Sequence, residues 1–305
     1  MINDAVPSKV ASASRRRFLQ ISALAAAGAG LEGITLSSPA QAASGAPAIF
    51  YSPHQDDEAI GMAGSIMEHK AAGRPVYLVL VTRGENDGLL NYMNAGNCPA
   101  FTNRALCSAP GHYHNLGWVP NRVDSLKDPV VIARTAEFMA SAQALGVDRV
   151  INLRLTDSAY GSTAEYNSLV SRIKTNILSL NDLYPGASHK FAAGWLDGNS
   201  THKACSDAAY LARRDVGDLR FNHIYAYVQR PVPDRGNGAN YVLNIGSSWM
   251  SAKRRSILAY NTWDPARKLY SLGYHSVPTW LENAYADPRE FVYTLPSNYT
   301  TGKPA

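Results

Sequence analysis

Short apolar runs alternate with helical segments along most of this chain, and that alternation limits the folds it can adopt. Residues 75–82 (PVYLVLVT) are apolar on both faces, as is typical of a parallel strand buried inside a sheet. Residues 129–146 have helical periodicity, with Asp128 and Pro129 as start signals and Gly146 at the end. Strands separated by helices in this way indicate βαβ units and a mainly parallel sheet.

Other segments extend this pattern. Strands are predicted over residues 46–51, 150–155, 190–196 and 221–228, the last near an edge, and helices over 59–72, 163–183 and 201–214. We therefore expect an α/β fold with three layers, in which a Rossmann-like, mainly parallel sheet carries helices on both faces. Residues 43–305 contain no repeat or low-complexity linker, so one domain is predicted, with an aromatic-rich extension from about residue 261. The extension's rings either pack on the core or form a rim for a glycan.

The first 42 residues are predicted to be a signal peptide. Residues 14–20 (SRRRFLQ) resemble the twin-arginine export motif, and a mild Ala/Gly-rich stretch and the small residues Ala40 and Ala42 follow. That stretch is too short and too mildly apolar for a stable membrane span. We expect a secreted protein that is exported by the twin-arginine route.

The mature chain offers no signal for a nucleic-acid partner. Removing the leader takes away four cations and two anions, so the net charge falls from +5 to +3. The chain also lacks a Lys/Arg stripe interleaved with aromatic residues. Of the three cysteines, Cys98 and Cys107 are predicted to form a disulfide after export, whereas Cys205 falls in a helix and is expected to be a small buried residue.

The most reactive cluster follows the first predicted strand. Residues 52–58 (SPHQDDE) place an imidazole and three carboxylates where a buried strand ends in a loop, at the edge of the sheet where open α/β folds bind ligands. Imidazole and carboxylate suit Zn²⁺ or another divalent ion, and a neighbouring free carboxylate can serve as a general base. The alternative is a solvated acidic cap on the helix that follows.

This cluster also carries a family resemblance. The stretch His54-Gln55-Asp56-Asp57-Glu58 resembles the His-Pro-Asp-Asp-Glu motif of the PIG-L/LmbE-like deacetylases, with Gln55 in place of the usual Pro. Members of that family remove N-acetyl groups, typically from N-acetylglucosamine-containing compounds, with a metal held by two His and one Asp. The resemblance implies that His54 and Asp57 are metal ligands and that Asp56 is the base.

A third ligand has to come from a distant segment, and His202 is the best placed of the eight histidines. It follows the predicted strand 190–196 and stands at the start of a helix. His202 also matches the last His of the family's His-Pro-Asp-His pattern. Asn199 stands where the first His of that pattern would be and Thr201 where its Asp would be. Asn199 can donate a hydrogen bond to an oxyanion but cannot deliver a proton, which leaves protonated Asp56 as the simplest acid.

Two more positions resemble sugar-binding residues of the family. Arg134 lies on the helix whose Arg binds substrate, and Asp157 follows the next strand, where the family's Asp binds sugar hydroxyls. The alternative is a structural ion pair of Arg134 with Asp157 or Glu137.

The sequence therefore predicts a secreted, zinc-dependent hydrolase that removes an N-acetyl or other N-acyl group from an amino-sugar or glycan substrate. Asp56 and Asn199 are the predicted catalytic residues, Arg134 and Asp157 bind substrate, and His54, Asp57 and His202 hold the metal. Two alternatives remain open, a glycan-binding protein that has lost catalysis and a metal-dependent esterase or phosphoesterase. A divalent ion other than zinc is also compatible with these ligands.

Overall fold

The computed structural model describes residues 32–34, 45–96 and 114–304. The predicted cleavage region at residues 40–42 and the predicted Cys98–Cys107 disulfide lie outside the described residues. Both stay predictions.

Eight described strands form one mixed sheet in the order β1-β4-β3-β2-β5-β6-β10-β7, and β8 and β9 form a separate pair. The strands β2 to β6 run parallel to one another, whereas β1 and β10 are antiparallel to their neighbours. The bounds are β1 Glu32–Ile34, β2 Ala48–Ser52, β3 Val76–Thr82, β4 Arg149–Leu155, β5 Ser188–Ala192, β6 Leu219–Asn222, β7 Tyr241–Asn244, β8 Trp263–Asp264, β9 Leu269–Tyr270 and β10 Arg289–Tyr293.

Helices connect these strands. In chain order they are α1 Asp57–Gly61, α2 Ala63–Ala71, α3 Asp87–Asn94, α4 Pro129–Ala144, α5 Thr163–Leu183, α6 Gly194–Asp197, α7 Ser200–Ala212, α8 Ala226–Gln229, α9 Ser247–Ala259, α10 Leu272–Ser276 and α11 Pro278–Ala286. Of the helices in the described ranges, none combines the length and the apolar character that crossing a bilayer requires. The predicted α/β fold with a mostly parallel central sheet is confirmed. Cys205 is buried in α7 and is not part of a disulfide.

The sheet has a switch point where ligands are expected. The chain runs from β2 outward through β3 to β4, then returns to β5 on the other side of β2. All five residues of β2 and all five of β5 are buried, because helices cover both faces at the centre. Loops that leave the carboxyl ends of β2 and β5 therefore diverge and open a crevice between them.

The helix predicted over residues 59–72 is broken at Met62, where φ is −126°. The break has a tertiary cause. The Ser65 N–H and the Gly64 N–H donate to the Glu290 carboxylate of β10, at 2.9 and 2.7 Å. The Gly61 carbonyl, which would accept from Ser65 in a continuous helix, accepts instead from the Asn222 amide at 2.9 Å.

The strand predicted over residues 221–228 is shorter than expected and is not near an edge. It ends at Asn222 and the chain then turns into α8, while β10 pairs with β6 and β7 pairs with β10. The extension after residue 261 thus supplies a strand of the main sheet. Its rings are buried or half-buried, with Tyr274, Phe291 and Tyr293 in the core, so they pack the extension onto the rest of the protein.

One buried histidine makes stability depend on pH. His189 of β5 is fully buried, and its Nδ1 lies 3.0 Å from the Tyr51 hydroxyl. Burial, and then the nearby Lys190 charge, lower the pKa of His189 to about 4. The unfolded chain binds a proton below pH 6.5, whereas the folded protein does not until about pH 4. The neutral His189 therefore does not reduce stability above pH 6.5. As the pH falls from 6.5 to about 4, the free energy of unfolding decreases because only the unfolded chain takes up the proton.

We expect the free energy of unfolding to fall by up to about 3 kcal/mol more in the wild type than in His189→Gln between pH 7 and pH 4. The glutamine keeps a neutral acceptor for the Tyr51 hydroxyl but has no titrating group. Urea unfolding at several pH values measures the two slopes. Parallel slopes would show that His189 does not cause the loss.

Candidate active site

Loops from four neighbouring parallel strands meet at the carboxyl edge of the sheet. Residues 54–57 follow β2, residues 84–86 follow β3, Asp157 follows β4 and residues 197–202 follow β5. Together they border a cavity of about 350 Å³, a volume that suits a small-molecule ligand. Asp56, Asp57, Glu85 and Asp157 face this cavity, so its lining favours a cation.

The three predicted metal ligands come together at this edge. The Asp57 Oδ2 atom lies 3.3 Å from His54 Nδ1 and 3.1 Å from His202 Nε2. One ligand atom from each of the three residues falls within 4.8 Å of the other two. Two imidazole nitrogens and a carboxylate oxygen therefore converge on one point, and this group can hold a metal ion.

Each histidine is oriented by a carboxylate on its other ring nitrogen. The Asp157 Oδ2 atom lies 3.0 Å from His54 Nε2, and the Asp197 Oδ2 atom lies 2.7 Å from His202 Nδ1. These contacts leave His54 Nδ1 and His202 Nε2 for the convergence point. Histidine ligands commonly have such a second carboxylate, which fixes the tautomer and the ring orientation.

The donor set fits zinc. Zinc lies about 2.0–2.2 Å from its nitrogen and oxygen ligands, so two ligand atoms of a tetrahedral site are about 3.3 Å apart. The distances of 3.3 and 3.1 Å to Asp57 match this separation. His202 is fully buried, and its Nε2 makes no well-aligned hydrogen bond among the described residues, although Asp57 Oδ2 lies 3.1 Å away. A buried nitrogen without a well-aligned hydrogen bond is costly, and a metal ion at the convergence point would satisfy it.

Strong electrostatic coupling holds this cluster together. Burial lowers the pKa of each ligand histidine, but the neighbouring aspartates outweigh that effect, raising the pKa of His54 to about 9 and of His202 to about 10. Burial raises the pKa of Asp57, yet His202 and His54 hold it well below its usual range. Asp57 is therefore ionised, as a metal ligand must be.

Asp56 behaves differently from its neighbour. Burial, followed by the Asp57 carboxylate, raises the pKa of Asp56 well above its ordinary value, against the effect of Arg134. Arg134 Nη2 lies 3.5 Å from Asp56 Oδ2 and also donates to the Gln55 carbonyl at 3.1 Å. The carboxyl of Asp56 faces the cavity and can hold a proton there.

Glu58 holds the metal-ligand loop in place through hydrogen bonds. Its Oε1 accepts hydrogen bonds from the Ser141 hydroxyl at 2.6 Å and the Tyr260 hydroxyl at 2.5 Å. Its Oε2 accepts from the Ser52 hydroxyl at 3.2 Å. Burial raises the pKa of Glu58 to about 7 despite these bonds. Glu58 thus ties the loop to α4 and to the segment after α9.

Asn199 has both ends of its amide engaged. Its Oδ1 accepts from the backbone N–H groups of Thr201 and His202, at 2.9 and 3.1 Å, and so caps α7. Its Nδ2 donates to the Tyr225 hydroxyl at 3.0 Å. The cap fixes which end of the amide is oxygen, so the phenol oxygen of Tyr225 is an acceptor here. Its own hydrogen is free to point elsewhere, and Tyr225 lines the cavity.

The predicted substrate-binding pair lies in the cavity, but its two members have different partners. Arg134 pairs with Asp56 rather than with Asp157 or Glu137. Asp157 accepts from His54 and, at 2.8 Å, from the Thr201 hydroxyl. Arg134 is therefore bound to the loop that contains Asp56, and Asp157 is bound to the predicted metal ligand His54.

Sequence reasoning missed Asp197, Tyr225 and the cavity residues Ser276 and Val277. Asp197 had a usable signal, because it is a carboxylate five residues before a predicted histidine ligand in the same loop. Tyr225, Ser276 and Val277 had none, since their approach to the site depends on how the C-terminal part of the chain packs.

The family model "PIG-L: GlcNAc-PI de-N-acetylase" matches residues 49–212, which is more than half of the chain. The chain belongs to the PIG-L family. The matched residues include His54, Asp57 and His202, whereas Tyr225, Ser276 and Val277 lie beyond them. No curated protein sequence matches this PIG-L family chain significantly.

Solved structures resemble this PIG-L family member in fold. A deacetylase of the teicoplanin biosynthesis pathway, solved as a bog complex, is 15% identical with a TM-score of 0.54, over 81% of this chain and 96% of that one. The pseudoaglycone deacetylase Dbv21 is 18% identical with a TM-score of 0.51, over 81% of this chain and 95% of that one. At these identities the similarity concerns the fold.

Proposed function

We propose that this protein is a zinc-dependent deacetylase that hydrolyses the N-acetyl group of an N-acetylglucosamine-containing substrate. The observation that carries the proposal is the convergence of His54 Nδ1, Asp57 Oδ2 and His202 Nε2 in a chain of the PIG-L family. These three residues would hold the ion. A bound zinc ion supplies Lewis-acid polarisation of the acyl carbonyl and lowers the pKa of water.

Asp56 is the proton carrier in this proposal. It accepts a proton from the attacking water while the water oxygen bonds to the acyl carbon. It then passes the proton to the amide nitrogen as the C–N bond breaks, which yields acetate and the free amine. Burial and the Asp57 carboxylate raise the pKa of Asp56, and that shift favours the proton-holding state that the second step requires. Arg134 keeps the carboxyl in place.

The rest of the lining suits a sugar. Glu85, Asn86 and Asp157 offer polar groups that can bind hydroxyls, and they also border an adjoining cavity of about 340 Å³. The second cavity contains Arg83 and Arg122 and continues the groove beyond one sugar unit. We infer an amino sugar that carries a further polar substituent.

Tyr225 is proposed to donate a hydrogen bond to the acyl oxygen as negative charge develops on it. Replacing Tyr225 with Phe is then expected to lower kcat by about 10²-fold with a smaller change in KM. Asn199→Asp keeps the helix cap but puts an acceptor beside the phenol, which would turn its hydrogen away from the cavity. We expect a loss of kcat in this variant as well.

The matched control for Tyr225→Phe is Tyr285→Phe, a half-buried tyrosine on α11 that lies away from the cavity. Steady-state kinetics of all three variants, with metal content measured alongside, separate a catalytic role from loss of the ion. Wild-type kcat in Tyr225→Phe would exclude the hydrogen-bond role.

The deciding experiment incubates the zinc-loaded protein with N-acetylglucosamine, chitooligosaccharides and glucosamine carrying other substituents. Release of acetate with the matching mass loss in the sugar supports the proposal. Binding without acetate release would indicate the glycan-binding alternative, and release of phosphate from a phosphoester would indicate the phosphoesterase. Ester cleavage with intact amides would indicate the esterase.

We further propose that the protein is exported through the twin-arginine route, on the strength of residues 14–20 and the small residues before position 43. Replacing Arg15, Arg16 and Arg17 by lysine is expected to retain the precursor inside the cell. The control replaces Lys9, which lies outside the motif.

A further inference from the structure

The wall of the reaction cavity that faces the metal-ligand loop comes from outside the segment that matches the family. Ser276 and Val277 border the cavity together with His54, Asp56 and Asp57, although more than 60 residues separate them from the last matched residue, 212. Val277 connects α10 to α11, and α11 packs against α1. The C-terminal part of the chain therefore closes one side of the site.

The lining of this cavity is mostly polar, with a small aliphatic part. Ile60 and Val277 are the two aliphatic side chains that line it among the described residues. Ile60 is almost fully buried, and it lies four residues after Asp56, which places it one helical turn from the proposed base. Val277 directly precedes α11, and α11 packs on α1, which contains Ile60, so the two aliphatic side chains come from neighbouring parts of the fold.

A lining with both polar and aliphatic side chains suits the two ends of an amide substrate. The acyl carbon has to lie between Asp56 and the convergence point of the ligands, and its alkyl and nitrogen substituents point in different directions. The sugar on the nitrogen needs polar partners such as Asn86 and Asp157. The alkyl group needs apolar surface, which Ile60 and Val277 supply.

The aliphatic wall is held firmly in place. The Glu137 carboxylate, fully buried on α4, accepts hydrogen bonds from the backbone N–H groups of Leu272 at 2.7 Å and Gly273 at 3.0 Å. Gly273 packs so closely on Tyr260 that a Cβ atom would lie 2.6 Å from the ring. The Val277 N–H donates to the Gly273 carbonyl at 2.9 Å. A wall fixed in this way can discriminate by size.

We propose that Ile60 and Val277 form the acyl subsite of this protein and that Val277 limits the length of the acyl chain that is accepted. This inference rests on the proposed deacetylase function. It assigns acyl selectivity to a residue outside the family match, and it assigns to Glu137 the role of a positioning residue for that wall.

The test compares N-formyl, N-acetyl, N-propionyl and N-butyryl glucosamine in wild type, Val277→Ala and Val277→Phe. We expect Val277→Ala to raise the ratio of kcat/KM for butyryl over acetyl by about 10-fold or more. Val277→Phe should reject propionyl and butyryl while still accepting formyl. The matched control is Val232→Ala, because Val232 is exposed and lies outside the cavity. An unchanged acyl ratio in Val277→Ala, with acetyl hydrolysis intact, would overturn the proposal.

The acyl subsite can also be tested if the protein turns out not to be a deacetylase. If the wild type hydrolyses none of the four amides, calorimetry with formate, acetate, propionate and butyrate on the zinc-loaded protein tests the subsite directly. Tighter binding of butyrate relative to acetate in Val277→Ala would support the acyl subsite without deacetylation. The same ratio of affinities in wild type and variant would exclude it.

Glu137→Gln tests the positioning role. The carboxylate now accepts hydrogen bonds from two backbone N–H groups. In the glutamine variant the amide places its own N–H against one of these groups, so that hydrogen bond is lost and the wall should loosen. We expect a broader acyl range, as in Val277→Ala, with unchanged metal content. Wild-type acyl ratios in Glu137→Gln would show that the carboxylate does not set the wall.

Discussion

Asp56→Asn is expected to lower kcat by about 10²–10⁴-fold while the protein keeps its metal. The amide cannot accept the proton of the attacking water or return it to the leaving nitrogen, so both proton transfers lose their carrier. The metal should remain because His54, Asp57 and His202 are untouched, and their atoms converge without help from Asp56.

Asparagine is the right replacement here because of the backbone. Asp56 has φ +106°, in the half of conformational space where asparagine and aspartate are the most tolerated residues after glycine. Alanine would add backbone strain to the chemical change. The Asp182→Asn control alters an exposed carboxylate on α5 in the same way.

Acetate release and metal content by mass spectrometry are the two measurements for Asp56→Asn. A variant with full metal content and a kcat within a few-fold of the wild type would remove Asp56 from the mechanism. Loss of both metal and activity would point instead to a role in the ligand loop.

His202→Gln is expected to abolish stoichiometric metal binding and, with it, all detectable turnover. The histidine is fully buried, and its Nε2 is the ligand atom contributed from the second half of the matched segment. Without it two ligands remain, one fewer than the three protein ligands of typical catalytic zinc sites. Titration with zinc by calorimetry measures the loss.

Removing the carboxylates that orient the ligand histidines should weaken zinc binding to a smaller extent. Asp197→Asn and Asp157→Asn remove the carboxylates that orient His202 and His54, and we expect about 10–100-fold weaker zinc affinity in each. The control is His69→Gln, a half-buried histidine on α2 that is not part of the ligand group.

Since His202→Gln can also reduce stability, removal of zinc from the wild type by a chelator, followed by its return, provides the same comparison in an unaltered chain. Turnover that persists in the zinc-free wild type would contradict a metal-dependent mechanism.

The amino-acid sequence alone was enough to predict the α/β class and the place of the ligand loop. Parallel strands that are buried on both faces require continuous apolar runs, and residues 48–52 and 76–82 are such runs. The end of a buried strand is also where polar residues become accessible. For that reason His54 and Asp57 were recognisable from their position and their family motif.

Tertiary packing decided the features for which local patterns carry no information. The break of the predicted helix at Met62 depends on Glu290, which is more than 200 residues away. The strand β6 is short and covered because β10 arrives from the C-terminal extension. Neither event leaves a trace in the periodicity of the segment that it changes.

Some features of the active site likewise follow from residue type, and others depend on the folded chain. The sequence by itself determined which side chains can hold a metal, because ligand chemistry depends on residue type and on placement at strand ends. Only the folded chain decided that Asp157 and Asp197 would orient the two histidines, that Asn199 would hold Tyr225, and that Val277 would close the cavity. Asp197 and His202 are only five residues apart, but the other residues lie far apart in the chain, and their packing follows from the shape of the whole core.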